Sequence, residues 1–194
     1  VQQWCAPHIF FPWADSKYTA NTNSGKRDAI LVWAHIDRRL DFNLLADAAS
    51  ERPDLKIHIV GPIANNVAAE AQRIAINCPN IVLKNSTPLS QLNLSEYFCS
   101  AIPYKKGFKD IEAVSMSNKT LQLLARGLPI ITHGMPKFYD HSAIFKTNNL
   151  EEFLIGIDHL KNSFDSLQDD IKDFVDSNQP TNRLAQLEKI FTGT

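Results

Sequence analysis

Short apolar runs alternate with longer amphipathic stretches along most of this chain. Residues 29–34 (AILVWA), 56–60 (KIHIV), 80–83 (NIVL), 98–103 (FCSAIP) and 130–132 (IIT) are brief and almost continuously apolar, and 143–146 adds a sixth such run. Runs of this length and composition read as strands buried on both faces. Between them, 40–50, 67–77 and a stretch from about Asn118 repeat apolar residues at helical spacing, and a short helix is expected within 89–97. Residues 151–160, 163–175 and 182–191 are amphipathic helices after the last strand, and 105–115 reads as a charged, irregular loop. The alternation implies βαβ units and an α/β fold: a Rossmann-like, mostly parallel sheet with helices on both faces. In such sheets ligands bind at the carboxyl ends of the strands. The residues to inspect are therefore His35–Ile36–Asp37, Gly61–Pro62, Asn85–Ser86–Thr87, Tyr104–Lys105 and His133–Gly134.

One stretch, 115–132 (SMSNKTLQLLARGLPIIT), organises the rest. Leu121, Leu124, Ala125 and Leu128 fall on one helical face, while Lys119, Gln122 and Arg126 fall on another. Ser117 or Asn118 serves as N-cap, because a short side-chain oxygen accepts a free first-turn N–H. Gly127 suits the left-handed position after the helix, and Pro129 cannot continue it. Lysine is normally favoured at the C-terminal end of a helix, so Lys119 in the first turn opposes the helix dipole unless an anion satisfies both. The plainer reading is a solvated lysine on an outer face.

Composition narrows the field. The 194 residues are 44% hydrophobic and 21% charged, with net charge −1, so no broad surface for nucleic acid or an anionic membrane is indicated and any anion site is local. Cys5, Cys78 and Cys99 have neither CxxC spacing nor an even framework, and read as reduced thiols. No apolar run approaches the roughly 18 residues of a membrane span and no signal-peptide pattern is present, so a cytoplasmic location is expected. Residues 1–13 read as an extended crossover and 15–26 as a polar loop. The division expected is 1–27 as a crossover or linker and 28–194 as the Rossmann-like domain. Starting at Val1 without a methionine, the chain is expected to be a fragment of a longer protein.

Several chemistries find no pattern here. There is no GxGxxG after the first strand, no GxxxxGK[ST] and no GxSxG. The six histidines lack metal-ligand spacing, and no metal is expected, with His133 and His141 read as loop or surface residues. Asp37 and Asp41 stand near a strand end and are read as helix caps before catalytic carboxylates.

The succession "HIVGP", "CPNIVLKN", "IPY", "SNKTLQLLARGLPIIT" resembles the C-terminal, donor-binding half of a GT-B glycosyltransferase, over roughly 29–191. Common members carry a glutamate five residues before the glycine, holding the ribose hydroxyls. This sequence has Gln122 there, and Val114 eight positions earlier with Glu112 close by, which departs from the E-x7-E pattern of retaining members. The Ser-Asn-Lys-x-x-Gln arrangement is instead similar to the glucuronosyltransferases of xanthan-type polysaccharide assembly. That resemblance implies a UDP-sugar donor, with UDP-glucuronate as the narrower expectation, and inverting, metal-independent transfer. It further implies no cofactor, a lipid-linked or saccharide acceptor, and a catalytic base in an N-terminal acceptor-binding domain that this chain lacks. No catalytic residue is expected in this chain, which is expected to be inactive alone, and peripheral inner-membrane association would come through the missing domain. The nucleotide-sugar site implied consists of Lys119, Gln122 and Tyr104, with Ser117 and Asn118 at the helix start. His35, Ile36 and Gly61 would approach the diphosphate or sugar. Two other readings stand beside it: a non-catalytic Rossmann-like interaction module, and half of a UDP-sugar epimerase.

Overall fold

The computed structural model describes residue 14, residues 16–21 and residues 26–192. The extended-crossover expectation for 1–13, and Cys5, lie outside the described residues, as do residues 15 and 22–25 of the expected polar loop.

Six strands form one sheet: β1 (Ala29–Trp33), β2 (Lys56–Val60), β3 (Ile81–Lys84), β4 (Tyr97–Pro103), β5 (Ile130–His133) and β6 (Ile144–Thr147). All neighbours run parallel, in the order β3-β2-β1-β4-β5-β6. This is the doubly wound order whose direction reverses between β1 and β4. The helices are α1 (Phe42–Glu51), α2 (Ala68–Asn77), a short α3 (Lys109–Glu112), α4 (Asn118–Leu124), α5 (Leu150–Asn162), α6 (Gln168–Ser177) and α7 (Pro180–Thr192). The central strands carry no exposed side chains; Ile30, Leu31, Val32, Phe98, Ile130 and Ile131 are fully buried because helices cover both faces. Helix α5 packs back over β4, β5 and β6 and against α1, while α4 and α6 pack together.

Local chemistry accounts for the boundaries. Asp41 caps α1 by accepting from Leu44 N at 3.1 Å, the cap expected of it. Asn80 closes the far end of the same unit: its side-chain amide donates to the carbonyls of Ala49, Arg52 and Leu55. The loop expected over 105–115 contains the single-turn α3, and the helix expected within 89–97 is a 3₁₀ turn at Leu89–Gln91. The described residues of the N-terminal segment lie against the domain. Ala14 N donates to Asn178 O, Thr19 N to Ala125 O, and Tyr18 Oη to Gln168 Oε1.

Candidate functional site

Two glycines shape the carboxyl rim of the sheet. After β2, Gly61 adopts φ +150, and a Cβ there would sit 1.8 Å from the carbonyl oxygen of Ala34, just past β1. After β5, Gly134 adopts φ +72, and a Cβ there would sit 2.1 Å from the carbonyl oxygen of Tyr104, just past β4. Only glycine permits backbone to approach backbone this closely. The loop after β1 is also joined to the end of β4. Asp41 N donates to Pro103 O at 2.9 Å and Lys105 N to Arg39 O at 2.8 Å. Tyr104 is thereby fixed where the strand order reverses.

Lys119 meets Tyr104 at that point. Its Nζ donates to the Tyr104 hydroxyl at 3.1 Å and stands 5.2 Å from the ring centroid. The lysine also lines a cavity of about 320 Å³ bounded by the tips of β1 and β2 and the loop after β3, with Trp33, His35, Gly61, Pro62 and Thr87 among its walls. A second cavity, about 310 Å³, adjoins it across Trp33 and Pro88, and Gln122 and Arg126 face that one. Lys119 and Gln122 are thus neighbours on one helix face but line adjoining clefts.

The remaining expected residues divide. Gly61 and His35 line the Lys119 cavity. His35 is exposed, its Nδ1 3.6 Å from Asp37 Oδ2. Ile36 does not take part: it is fully buried, because the loop continues the strand pleat by bridging to Ile63 and turns alternate side chains inward. Ser117 is the N-cap of α4; its Oγ accepts from Thr120 N at 3.3 Å and pairs with Thr120 Oγ1 at 2.9 Å, so it is spent on the helix. Asn118 is exposed and lines neither cavity. With Ser117 occupying a first-turn N–H of a seven-residue helix, charge at this site comes from the ammonium and not from the helix end.

The titratable groups nearby are engaged. Asp37 accepts from Arg39 N and Nε on Oδ1, and from Nε and Nη2 on Oδ2, and the guanidinium holds its carboxyl well below the usual range, at about 2. His133 is the buried last residue of β5 and not a loop histidine. Its Nδ1 lies 3.1 Å from Thr147 Oγ1, and burial lowers its pKa. His141 is half-buried against Phe174, its Nδ1 accepting from Ala143 N. Among the described residues no group of three His, Cys, Asp or Glu is placed to hold a metal ion, and no helix is long and apolar enough to cross a membrane. Trp33, Thr87, Pro88 and Arg126 complete the site. Their signals were available, since Trp33 ends a strand, Thr87 follows one, and Arg126 shares a face with Lys119 and Gln122.

Fold and site together define a Rossmann-like α/β protein with a cationic cleft at its topological switch point. Its solved structural counterparts are GT-B glycosyltransferases. The GtfA/B complex superposes with a TM-score of 0.69 at 12% identity, covering 91% of this chain and 38% of that one. The lipopolysaccharide outer core galactosyltransferase WaaB gives 0.65 at 10% identity, covering 94% and 54%. The pneumococcal O-GlcNAc transferase GtfA, solved with UDP and GlcNAc, gives 0.60 at 14% identity, covering 90% and 37%. This is a likeness of fold, and the chain spans 38% and 37% of the length of the two GtfA structures. No family model and no curated protein matches the sequence.

Proposed function

We propose that this chain is the C-terminal, donor-binding half of a GT-B glycosyltransferase and that its donor is a UDP-sugar. The observation that carries the reading is Lys119, held on the Tyr104 hydroxyl at 3.1 Å and lining a cavity at the strand tips where the sheet order reverses. An ammonium in that place meets a diphosphate as a point charge. When the bond from the anomeric carbon to the diphosphate oxygen breaks, negative charge grows on the departing phosphate, and Lys119 stabilises it. Gln122 offers both a donor and an acceptor to ribose hydroxyls. The backbone turn at Gly61 brings peptide groups close to the sugar-diphosphate. UDP in the pneumococcal counterpart supports the choice of nucleotide.

On this reading the catalytic base and acceptor site belong to an N-terminal domain outside these residues, and the greater length of the structural counterparts supports that division. Asp37, committed to Arg39, is not offered as a base. The finer reading is inverting, metal-independent transfer of a uronic acid, such as glucuronate from UDP-glucuronate, to a lipid-linked or saccharide acceptor in bacterial polysaccharide synthesis. Any membrane contact is peripheral and made through the other domain. The test is titration with UDP by calorimetry or NMR. Binding by the wild type is expected, and Lys119→Ala is expected to weaken it by about 1.5–3 kcal/mol, the worth of a hydrogen bond to a charged group. A wild-type chain that ignores millimolar UDP overturns the reading.

A further inference from the structure

Arg126 is unlike the other half-buried arginines of this protein. Arg39 is paired with Asp37, and Arg52 with Asp54 and Asp158. Arg27 donates to Asn21 O and stacks on Phe164, and Arg183 donates to Gln186. Arg126 has no ion pair, side-chain hydrogen bond or ring contact among the described residues, although it lines the second cavity and is partly withdrawn from water. A guanidinium in that position is a fork of donors with nothing to receive them.

The cavity tells what would receive them. Trp33, Pro88 and Leu89 give it apolar walls, and Gln122 and Arg126, with Ser16 and Ser90, supply its polar side. Such a slot accepts a planar ring and orients it through a few polar groups. Arg126 follows in the turn that closes α4, just past its last residue Leu124, and lines the same cavity as Gln122, while Lys119 in the first turn lines the adjoining one. Ammonium, amide and guanidinium thus succeed one another along the chain, an order that suits diphosphate, ribose and base.

We infer that Arg126 is the base-selecting residue of this site, its guanidinium donating to the O4 carbonyl oxygen of a uracil. This rests on the nucleotide-sugar reading above and adds the source of its base preference. Uracil offers carbonyl oxygens to a donor-only group. Cytosine replaces one of them with an amine, which turns N–H toward N–H and leaves buried donors unpaired.

The test titrates the 194-residue chain with UDP, CDP and inorganic pyrophosphate, following the heat of binding and tryptophan fluorescence. The wild type is expected to prefer UDP over CDP by roughly tenfold, the scale of one charged hydrogen bond made to uracil and lost on cytosine. Arg126→Gln, which presents donor and acceptor alike, is expected to bring UDP and CDP within about twofold of each other while pyrophosphate binding stays unchanged. Arg126→Lys keeps the charge and remains a donor-only group, and is expected to retain the preference for UDP over CDP, which Arg126→Gln does not. A wild-type chain that binds UDP and CDP alike, or an Arg126→Gln variant that retains the wild-type ratio, overturns the inference and leaves the nucleotide reading standing. A wild-type chain that binds none of these nucleotides overturns both.

Discussion

The indole Nε1 of Trp33 donates to the carbonyl of Thr87 at 3.0 Å, tying the last residue of β1 to the loop that follows β3. The bond reaches past β2 and fixes the ring as the partition between two cavities. Trp33→Phe keeps an aromatic wall but leaves the Thr87 carbonyl without this donor. It is expected to lower stability by about 1 kcal/mol, read from the urea midpoint, and to weaken UDP binding because the partition is no longer anchored.

Tyr104 lines neither of the two cavities and acts through Lys119, whose ammonium it accepts. Tyr104→Phe keeps the ring beneath the cation and removes the acceptor. UDP affinity is expected to fall by about 1 kcal/mol, less than for Lys119→Ala. In the double variant the two losses should not add, since both act on one contact. Additive losses, measured by calorimetry on all four proteins, would mean that Tyr104 touches the ligand itself.

Gly61→Ala places a Cβ 1.8 Å from Ala34 O at φ +150, where nothing but backbone can move. The same substitution at Gly134 meets Tyr104 O at 2.1 Å. Each is expected to destabilise by more than about 2 kcal/mol, through strain and steric overlap together. A urea midpoint for Gly61→Ala equal to that of the wild type would contradict the close approach.

The Asp37–Arg39 pair makes stability depend on pH at the acid end. The Asp37 carboxyl is depressed from 3.8 to about 2 in the folded protein, chiefly by Arg39. A depressed carboxyl contributes its full stability above the unfolded value and loses it as pH falls through the folded one. With Arg39 partly exposed and the pair screened by solvent, the contribution is about 1 kcal/mol. It is expected to disappear between about pH 4 and pH 2. Asp37→Asn should lack that part of the pH dependence, as seen in urea midpoints compared at neutral pH and at pH about 2.5.

Much of the fold was legible because its strands are short and apolar on both faces. β2 begins and ends where KIHIV does, and Gly127, at φ +69, terminates the α4 turn as its lack of a Cβ allows. The order of strands across the sheet was not legible in the same way, since it depends on which crossovers pack against which face. Lys119 stood out because it opposes a helix dipole, yet the helix is seven residues long with its cap already in use, so what places the ammonium at the cavity is the Tyr104 hydroxyl and not the helix end. Ile36 was misplaced because sequence adjacency to His35 hides the pleat that sends the two side chains in opposite directions. Trp33 and Arg126 went unassigned because a strand-end tryptophan and a helix-face arginine look ordinary until a cavity is found between them.

Gly61 and Gly134 occupy matching places in the two halves of the sheet, each pressing a turn against the peptide that leaves the neighbouring strand. Main chain therefore forms the floor on either side of the reversal point, and no side-chain replacement can resculpt it. Divergence in what this protein grips must come from the walls, where single residues such as Trp33, Gln122 and Arg126 can be exchanged while the ground beneath them stays put.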